Sequence, residues 1–229
     1  MHSTMPLDDI GPQDAGLFSP AVRTIAYELE EDIIFGRMAP GARLIEETLM
    51  VRFGATRYFI RQALAGLERS GIVVREKNKG AAVRSLSPDE VQQIYSVREM
   101  LQREAALLIS LPAPATLVRA LKDIQAQFRC YVQDENHRRA YEMNDRFHLT
   151  LFAGCGNDYL LGSIRHYMSL SLPVRAKTMV ERAMIEKSCQ DHDLMISMLQ
   201  GNNNWILAQL CIDHLQPSKR RYLEVVSVD

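Results

Sequence analysis

The stretch from residue 54 to residue 83 constrains the fold more than any other part of this 229-residue chain. Its first half predicts a helix that is entered through a tight turn. Gly54 can adopt the left-handed backbone conformation, and Thr56 is a favourable N-cap. Apolar residues then recur at helical spacing, namely Phe59, Ile60, Ala63, Leu64 and Leu67. Gly71 is expected to end this helix.

Two short β-prone runs follow the helix, residues 72–74 and 81–83, and a basic turn joins them. A helix followed by a hairpin with a cationic tip is typical of a winged helix-turn-helix. In that unit the helix end meets base edges in the major groove, and the tip lies along phosphates or in a minor groove. Between Arg57 and Arg84 the chain has seven basic and two acidic residues, although its total net charge is −1. The positive charge is therefore concentrated where a DNA contact is expected.

The residues before this stretch predict the remaining parts of a DNA-binding domain. One helix is expected from Pro20 to Ile34 and a second at about 46–53, with a short link at residues 43–45. The order helix, helix, turn, helix, hairpin then completes a winged helix-turn-helix over residues 20–85. Residues 1–19 have mixed polarity with Pro and Gly, and we expect a flexible tail there.

The second part of the chain, residues 86–229, predicts an all-α antiparallel bundle. Ser87, Pro88 and Glu90 form a helix-start signature, and no convincing strand pattern follows them. Helices are expected at about 88–110, 114–134, 138–154, 157–180, 182–200 and 203–223, with a kink at Pro173 in the fourth. The predicted fold class is therefore mainly α, a winged helix-turn-helix followed by a helical effector-binding and dimerisation domain.

Composition excludes several classes of protein. Cys130, Cys155, Cys189 and Cys211 follow no CxxC spacing, which indicates reduced thiols in the core or on helices. The N-terminus has no apolar segment of the secretory kind, and no apolar run is long enough for a membrane span. We therefore expect a soluble cytoplasmic protein that has no membrane partner.

Three histidines of the second part, His148, His192 and His214, lie inside predicted helices beside apolar residues. Asn144 is one helical turn before His148 and points the same way. His192 and His214 belong to the last two helices, which the short break at residue 201 makes antiparallel neighbours. Three imidazoles and one oxygen donor would hold Zn²⁺, or alternatively Ni²⁺ or Mn²⁺. The alternative is that each is an ordinary core or surface histidine.

The sequence also resembles the GntR superfamily of bacterial transcription regulators, and within it the FadR subfamily with an FCD-type ligand-binding domain. In the first part the resemblance rests on residues 38–44, 54–57, 60–64, 67–73 and 79–83. In the second part it rests on residues 97–102, Phe147-His148, Gly156-Asn157, His192 and His214-Leu215. The resemblance covers about residues 20–225.

The resemblance implies roles for particular residues. Those implied to contact an operator are Thr56, Arg57, Tyr58 and Arg61, with Lys79 and Gly80 at the wing; the implied metal site is Asn144, His148, His192 and His214. Two departures stand out. Tyr58 and Phe59 replace the usual Thr-Pro pair, so the base preference does not transfer. Asn144 replaces the usual Asp, which removes one negative charge and should weaken metal binding.

The resulting hypothesis is a homodimeric regulator, a repressor by preference, that binds an inverted-repeat operator in double-stranded DNA. Arg57 and Arg61 are the expected guanine contacts, and Lys77 and Lys79 the expected phosphate contacts. The bundle would sense a small carboxylate at the open positions of a bound metal, with Arg98 or, less directly, Arg175 bracing the anion. Solvated or salt-bridged arginines are the alternative at each of these positions.

Two further alternatives remain open at this point. The bundle could be a metal-free sensor of an apolar or acyl ligand, lined by Met179, Met184, Met195 and Met198. The histidine cluster could also serve a metalloenzyme, which needs a general acid or base near the metal. Asp145, Asp191 and Asp193 are near in sequence but are expected to face away from the site, and no HExxH motif is present. We therefore expect a protein that is not an enzyme.

Overall fold

A computed structural model describes residues 19–76, 80–176 and 181–226 of the chain. The chain divides into two compact units, residues 1–85 and 86–229. Each unit is described by itself below. Residues 1–18 of the tail expected at residues 1–19, and the two wing lysines, Lys77 and Lys79, lie outside the described residues. Ser19 is described and is the N-cap of the first helix.

The first unit contains three helices and a small antiparallel sheet. The helices are α1 (Pro20–Ile34), α2 (Glu46–Phe53) and α3 (Arg57–Arg69), and the strands are β1 (Arg43–Leu44), β2 (Val73–Glu76) and β3 (Gly80–Val83). The strand order is β1-β3-β2, with Arg43 opposite Ala82 and Val73 opposite Val83. Residues 43–45 were expected to be a link between helices. Strand β1 is therefore a third strand beside the two strands of the predicted hairpin.

The turn between α2 and α3 follows from two residues at the N-terminal side of α3. Gly54 has a φ of 56°, the left-handed conformation that glycine adopts at little cost, and it ends α2. Thr56 is the N-cap residue of α3 with extended backbone, but its side chain makes no capping hydrogen bond. The prediction was therefore right about the position of Thr56 and wrong about the capping bond, which leaves the hydroxyl exposed.

The first unit is held together by an apolar core and one buried carboxylate. Leu29 of α1 packs in a core with Ile60 and Leu64 of α3, and all three are at most 1% exposed. Asp32, also buried, accepts hydrogen bonds from Arg37 and from Arg52 of α2. Burial alone would raise the pKa of Asp32, but the two guanidinium groups outweigh it and hold that pKa below 3.8.

The second unit contains only helices in its described residues. They are α4 (Pro88–Leu108), α5 (Ala115–Gln133), α6 (His137–Ala153), α7 (Asp158–Leu170), α8 (Leu172–Ala176), α9 (Arg182–Met198), α10 (Asn204–Asp213) and α11 (Gln216–Val226). Two of the six predicted helices are each divided in two. The predicted 157–180 helix breaks at Ser171, just before Pro173, and the 203–223 helix breaks before Pro217. A proline lacks the amide hydrogen and clashes with the preceding turn, which explains both breaks.

Helix α4 begins with the predicted signature and is held by contacts with α11. Ser87 and Glu90 form a reciprocal capping box. The hydroxyl of Tyr95 lies 2.9 Å from Ser218 Oγ, and Tyr222 donates a hydrogen bond to the Leu86 carbonyl. These contacts bind α11 to the start of α4 and position the inward face of α4 against the bundle.

The cysteines are all free, with Cys211 buried and Cys130 exposed. Within the described part of the chain, no helix is both long and apolar enough to cross a membrane.

We predict that Asp32→Asn destabilises the first unit by about 2 kcal/mol at neutral pH, because it removes the charge that two arginines share. Hydrogen exchange of the α1 amides, corrected for the intrinsic rate at each pH, measures the effect. Asp32 contributes stability above its ordinary pKa of 3.8 and loses that contribution as the pH falls through its lowered folded value. The difference between the variant and the wild type should therefore shrink below about pH 3.8.

Glu31→Gln is the matched control, since Glu31 contacts the same Arg37 but its side chain is 30% exposed. Its effect should stay within about 0.5 kcal/mol. Equal exchange in wild type and Asp32→Asn at neutral pH would contradict the assignment.

Candidate functional site

The N-terminal end of α3 presents the residues that were predicted to contact DNA. Thr56, Arg57, Tyr58 and Arg61 are all exposed, while Ile60 between them is fully buried. The burial follows from the helical period, which turns Ile60 towards α1 and leaves its neighbours on the outer side. Tyr58 is 65% exposed, a large aromatic surface for a monomeric unit. This end of α3 therefore has the composition and exposure of a recognition helix.

Each arginine of this surface is paired with a glutamate from the first turn of α2. Arg57 Nη2 lies 2.7 Å from Glu47 Oε1, and Arg61 Nε lies 2.8 Å from Glu46 Oε1. The hydrogen bond from Arg61 is the main cause that lowers the pKa of Glu46. Arg75 of β2 donates to the Arg61 carbonyl at 3.3 Å and extends the basic surface to the sheet. These glutamate partners were not predicted from the sequence.

At the wing, the described residues contain the start of β3. Gly80 has a φ of 80°, a conformation that other residues rarely adopt, and it pairs with Glu76 across the hairpin. A left-handed residue at this position turns the chain back into the sheet. The wing contacts predicted for Lys77 and Lys79 stay predictions.

In the second unit, α6, α9 and α10 bring the three predicted histidines together. One ring nitrogen each from His148, His192 and His214 lies within 4.8 Å of the others. The Nε2 atoms of His148 and His192 are 3.4 Å apart. His192 is 0% exposed and His148 is 8% exposed. His214 is the C-cap residue of α10 rather than a residue inside the helix, as the sequence analysis had placed it.

Two of the imidazoles are held by polar side chains on the side away from the cluster. His192 Nδ1 is 2.9 Å from Gln125 Oε1 of α5, and His214 Nδ1 is 3.0 Å from Asp191 Oδ2 of α9. Asp191 also forms an ion pair with Lys187. The expectation that Asp191 faces away from the site was therefore wrong: its carboxylate reaches sideways to the next helix. Gln125 was missed because nothing near it in the sequence marks it.

Burial sets the protonation of the cluster. Desolvation, reinforced by the neighbouring imidazoles, lowers the pKa of His148 and of His192 well below 6.5. Both rings are therefore neutral at physiological pH, and a neutral imidazole has a lone pair available for a metal. For Asp191, burial would raise the pKa, but the hydrogen bonds from His214 and Lys187 outweigh burial and lower it.

Two buried arginines lie beside the histidines. Arg175 forms an ion pair with Asp145 and donates a 2.6 Å hydrogen bond to the Tyr141 hydroxyl. Asp145 is thus committed to Arg175, which leaves it unsuited to serve as an acid or base. Arg98 of α4 is 4% exposed, and its guanidinium carbon lies 4.9 Å from the centre of the Tyr95 ring. Burial lowers the pKa of Arg98 to about 10.

Arg98 has polar atoms with no hydrogen-bond partner. Among the residues that the structure describes, its Nε and Nη1 atoms are buried and make no hydrogen bond. A buried donor without an acceptor costs roughly 1–3 kcal/mol, and more when the group is charged. Such a group points to an acceptor that arrives from outside the chain.

The two arginines and two of the three histidines share one cavity of about 50 Å³, whose walls include Arg98, Asn144, His148, Arg175, Asp191 and His214. This space suits an ion with one or two waters. Asn144, 8% exposed, has its amide nitrogen 3.4 Å from Asp145 Oδ1. Two neutral imidazoles, the third ring and an amide oxygen are suitable donors for Zn²⁺, Ni²⁺ or Mn²⁺, so these residues fit a divalent metal.

Comparison with known families assigns both units. Residues 21–83 match the gntR family of bacterial regulatory proteins, and residues 93–217, more than half of the chain, match the FCD domain family. The first match covers α1 to β3, and the second covers the histidine cluster.

Curated relatives are transcriptional regulators. The Nta operon transcriptional regulator of Aminobacter aminovorans is 24% identical over 191 residues, 82% of this chain and 87% of the relative. The gluconate operon transcriptional repressor of Bacillus subtilis is 25% identical over 195 residues, 81% of this chain and 78% of the relative. The regulator YdhC of Bacillus subtilis is 26% identical over 144 residues, 62% of this chain and 64% of the relative.

Solved structures share the fold. A GntR transcriptional regulator from Rhodococcus sp. RHA1 superposes with a TM-score of 0.72 at 19% identity, covering 90% of this chain and 99% of the other. E. coli McbR/YncC gives 0.68 at 15% identity, covering 92% and 98%. The predicted fold class, a winged helix-turn-helix followed by a helical bundle, is confirmed, and so is the expectation of a regulator rather than an enzyme. The chain belongs to the GntR family of bacterial transcriptional regulators and carries an FCD domain behind its DNA-binding part.

Proposed function

We propose that this chain is a homodimeric, ligand-responsive repressor that binds an inverted-repeat operator and senses a small carboxylate through its helical bundle. A divalent metal, held by Asn144, His148, His192 and His214, would form part of the sensing site. The observation that carries the proposal is the buried Arg98, whose guanidinium has unused donors and which lines the same cavity as His148 and His214.

The DNA-binding part of the proposal uses the exposed end of α3. Arg57 and Arg61 are long enough to reach guanine O6 and N7. Their ion pairs lie at the surface, with Glu47 exposed and Glu46 partly exposed, and are therefore exchangeable. Thr56 and Tyr58 flank them and are free to contact the backbone or a thymine methyl group. Lys77, Lys79 and Gly80 would lie at phosphates or in a minor groove. A two-fold symmetric dimer explains why the operator would be an inverted repeat.

The sensing part of the proposal depends on an excess of positive charge in the cavity. The proposed metal donors are an amide oxygen and imidazoles, so they would not neutralise a divalent ion. When bound, the metal would act as a Lewis acid for a carboxylate oxygen. Arg98 adds a positive charge to the same cavity, and the charge of Arg175 is already balanced by Asp145. An anionic ligand would compensate this excess, which favours a carboxylate over a neutral ligand.

The size of the cavity suggests how effector binding would change the arrangement of the helices. About 50 Å³ is too little for most organic acids, so an effector would have to push the surrounding helices apart. Arg98 is on α4, His148 on α6, Asp191 on α9 and His214 at the end of α10. A ligand that contacts four helices at once would select one arrangement of the bundle, and in a dimer that choice would change how the two DNA-binding units are spaced.

The relatives support repression and an acid effector. One is named as the repressor of a gluconate operon, and gluconate is a carboxylate. The rival sensor of an apolar ligand is less well supported. Met184 lines the cavity and Met195 is a core residue at 0% exposure, but most of the residues that line the cavity have polar or charged side chains. Met198 is half-buried and does not line the cavity, and Met179 lies outside the described residues.

We predict that Arg57→Ala weakens binding to a duplex selected from a random pool by the wild-type protein. The loss should be about 1–3 kcal/mol, because one bidentate contact to a guanine is removed, and base preference should relax at one position in each half-site. Titration of labelled duplexes carrying each base at that position measures both effects.

Arg119→Ala, an exposed arginine of α5, is the matched control and should leave the affinity unchanged. Undiminished binding by Arg57→Ala, or selected sites without two-fold symmetry, would contradict the proposal.

We predict that Arg98→Met abolishes stabilisation by carboxylates but not by Zn²⁺. With saturating Zn²⁺ and a panel of short mono- and dicarboxylates, at least one acid should raise the melting temperature of the wild type by about 5 °C. The same acid should not raise that of the variant. Without ligands the variant should melt at or above the wild-type temperature, because methionine removes an uncompensated buried charge.

Arg103→Met, an exposed arginine on the same helix, serves as the control and should respond to the acid as the wild type does. Failure of every acid to stabilise the wild type would overturn the carboxylate assignment, and an unaltered response in Arg98→Met would remove Arg98 from the site.

A further inference from the structure

The two residues that hold the imidazoles from outside, Gln125 and Asp191, were assigned no role by the sequence or by the relatives. Gln125 is 4% exposed and Asp191 is 1% exposed. Neither belongs to the proposed donor set. Gln125 contacts Nδ1 of His192, whose Nε2 faces His148, and Asp191 contacts Nδ1 of His214.

The orientation of the Gln125 amide is determined by its other contacts. Its Nε2 atom is 3.0 Å from the Cys189 carbonyl and 3.3 Å from Asp193 Oδ1. Both partners accept hydrogen bonds only, so the nitrogen must face them. A flipped amide would set its oxygen against two other oxygens. Oε1 is therefore the atom next to His192, and it can only accept.

The same logic applies to Asp191. Its Oδ1 accepts a hydrogen bond from Lys187, and its Oδ2 lies 3.0 Å from His214 Nδ1. A carboxylate has no hydrogen to donate, so the proton in this contact belongs to the imidazole. In the neutral form of either ring, the hydrogen is thus on Nδ1 and the lone pair is on Nε2.

This tautomer is not the default. In water a neutral histidine side chain carries its hydrogen mainly on Nε2, which would place a hydrogen on the nitrogen that faces the cluster. His192 Nε2 is 3.4 Å from His148 Nε2, so a hydrogen on His192 Nε2 would lie against the neighbouring ring. An acceptor behind the ring reverses the preference and leaves Nε2 free as a ligand.

We infer that Gln125 and Asp191 are positioning residues that fix His192 and His214 in the Nδ1-protonated tautomer, so that both Nε2 lone pairs are directed at one point before any metal binds. Asp191 also supplies a negative charge next to the cluster that Asn144 does not. This inference rests on the proposed function for its use, the binding of a metal, but the tautomers themselves are a property of the metal-free chain.

The test has two measurements on the full-length protein. Long-range proton–nitrogen NMR of metal-free, histidine-labelled protein above pH 6.5 identifies which ring nitrogen carries the hydrogen. Competition with a chromophoric chelator measures the affinity for Zn²⁺. In the wild type, His192 and His214 should both be protonated at Nδ1.

The variants are Gln125→Met and Asp191→Asn. Gln125→Met removes the acceptor at His192, and Asp191→Asn allows an amide to turn and donate to His214. Each should shift the affected ring towards the Nε2-protonated tautomer and weaken Zn²⁺ binding by roughly 10–100-fold. Gln127→Met and Asp213→Asn are the matched controls, since both side chains are exposed and Asp213 adjoins His214 without a contact to its ring in the described contacts. Both controls should leave tautomers and affinity as in the wild type.

The outcomes separate this inference from the proposed function. A wild-type protein with Nε2-protonated rings overturns the inference, whatever its affinity. Variants with shifted tautomers but wild-type affinity also overturn it, because the residues then position nothing that matters for binding. A wild-type protein with the expected tautomers and no Zn²⁺ affinity supports the inference and overturns the metal part of the proposed function. If a variant fails to fold, the wild-type tautomers still decide.

Discussion

Burial of two imidazoles, with a third partly buried beside them, is the constraint on which the helical bundle of the second unit depends. A buried polar ring is tolerated only when its nitrogens have partners, so the helices must bring those partners with them. Gln125 from α5 and Asp191 from α9 meet this requirement for His192 and His214. The same contacts tie α5, α9 and α10 to one another. The contacts that position the imidazoles are therefore also contacts that hold these helices together.

The two buried arginines beside the histidines differ in how their charges are balanced. Arg175 is balanced by Asp145 and Tyr141, whereas Arg98 packs against the face of Tyr95 and, among the described residues, its Nε and Nη1 atoms find no hydrogen-bond partner. A fold selected for stability alone would replace such a residue with an apolar one. The polar cavity therefore carries a cost in stability, which is expected at a site that must respond to a ligand.

Much of the fold could be predicted because its signals are local. The turn at Gly54, the apolar spacing of α3 and the capping box at Ser87 each depend on a few adjacent residues. The three histidines could also be grouped, since helix period and loop length fix their level in the bundle. Strand β1 and the partner Gln125 could not be predicted, because they depend on contacts between residues distant in sequence. The break at Ser171 was predicted only as a kink at Pro173, because a proline inside a helical pattern is compatible with either a kink or a break.

The glutamates of α2 have a consequence for how this chain meets DNA. Arg57 and Arg61 already have anionic partners in Glu47 and Glu46 before DNA is present. In the proposed complex with a duplex, the two arginines would exchange a carboxylate for a phosphate or a base. The freed carboxylates would then lie close to a polyanion and be repelled by it. This repulsion would weaken binding to DNA of unrelated sequence, and only a site that both arginines contact at once would offset it. Discrimination would then come as much from what the glutamates penalise as from what the arginines attract.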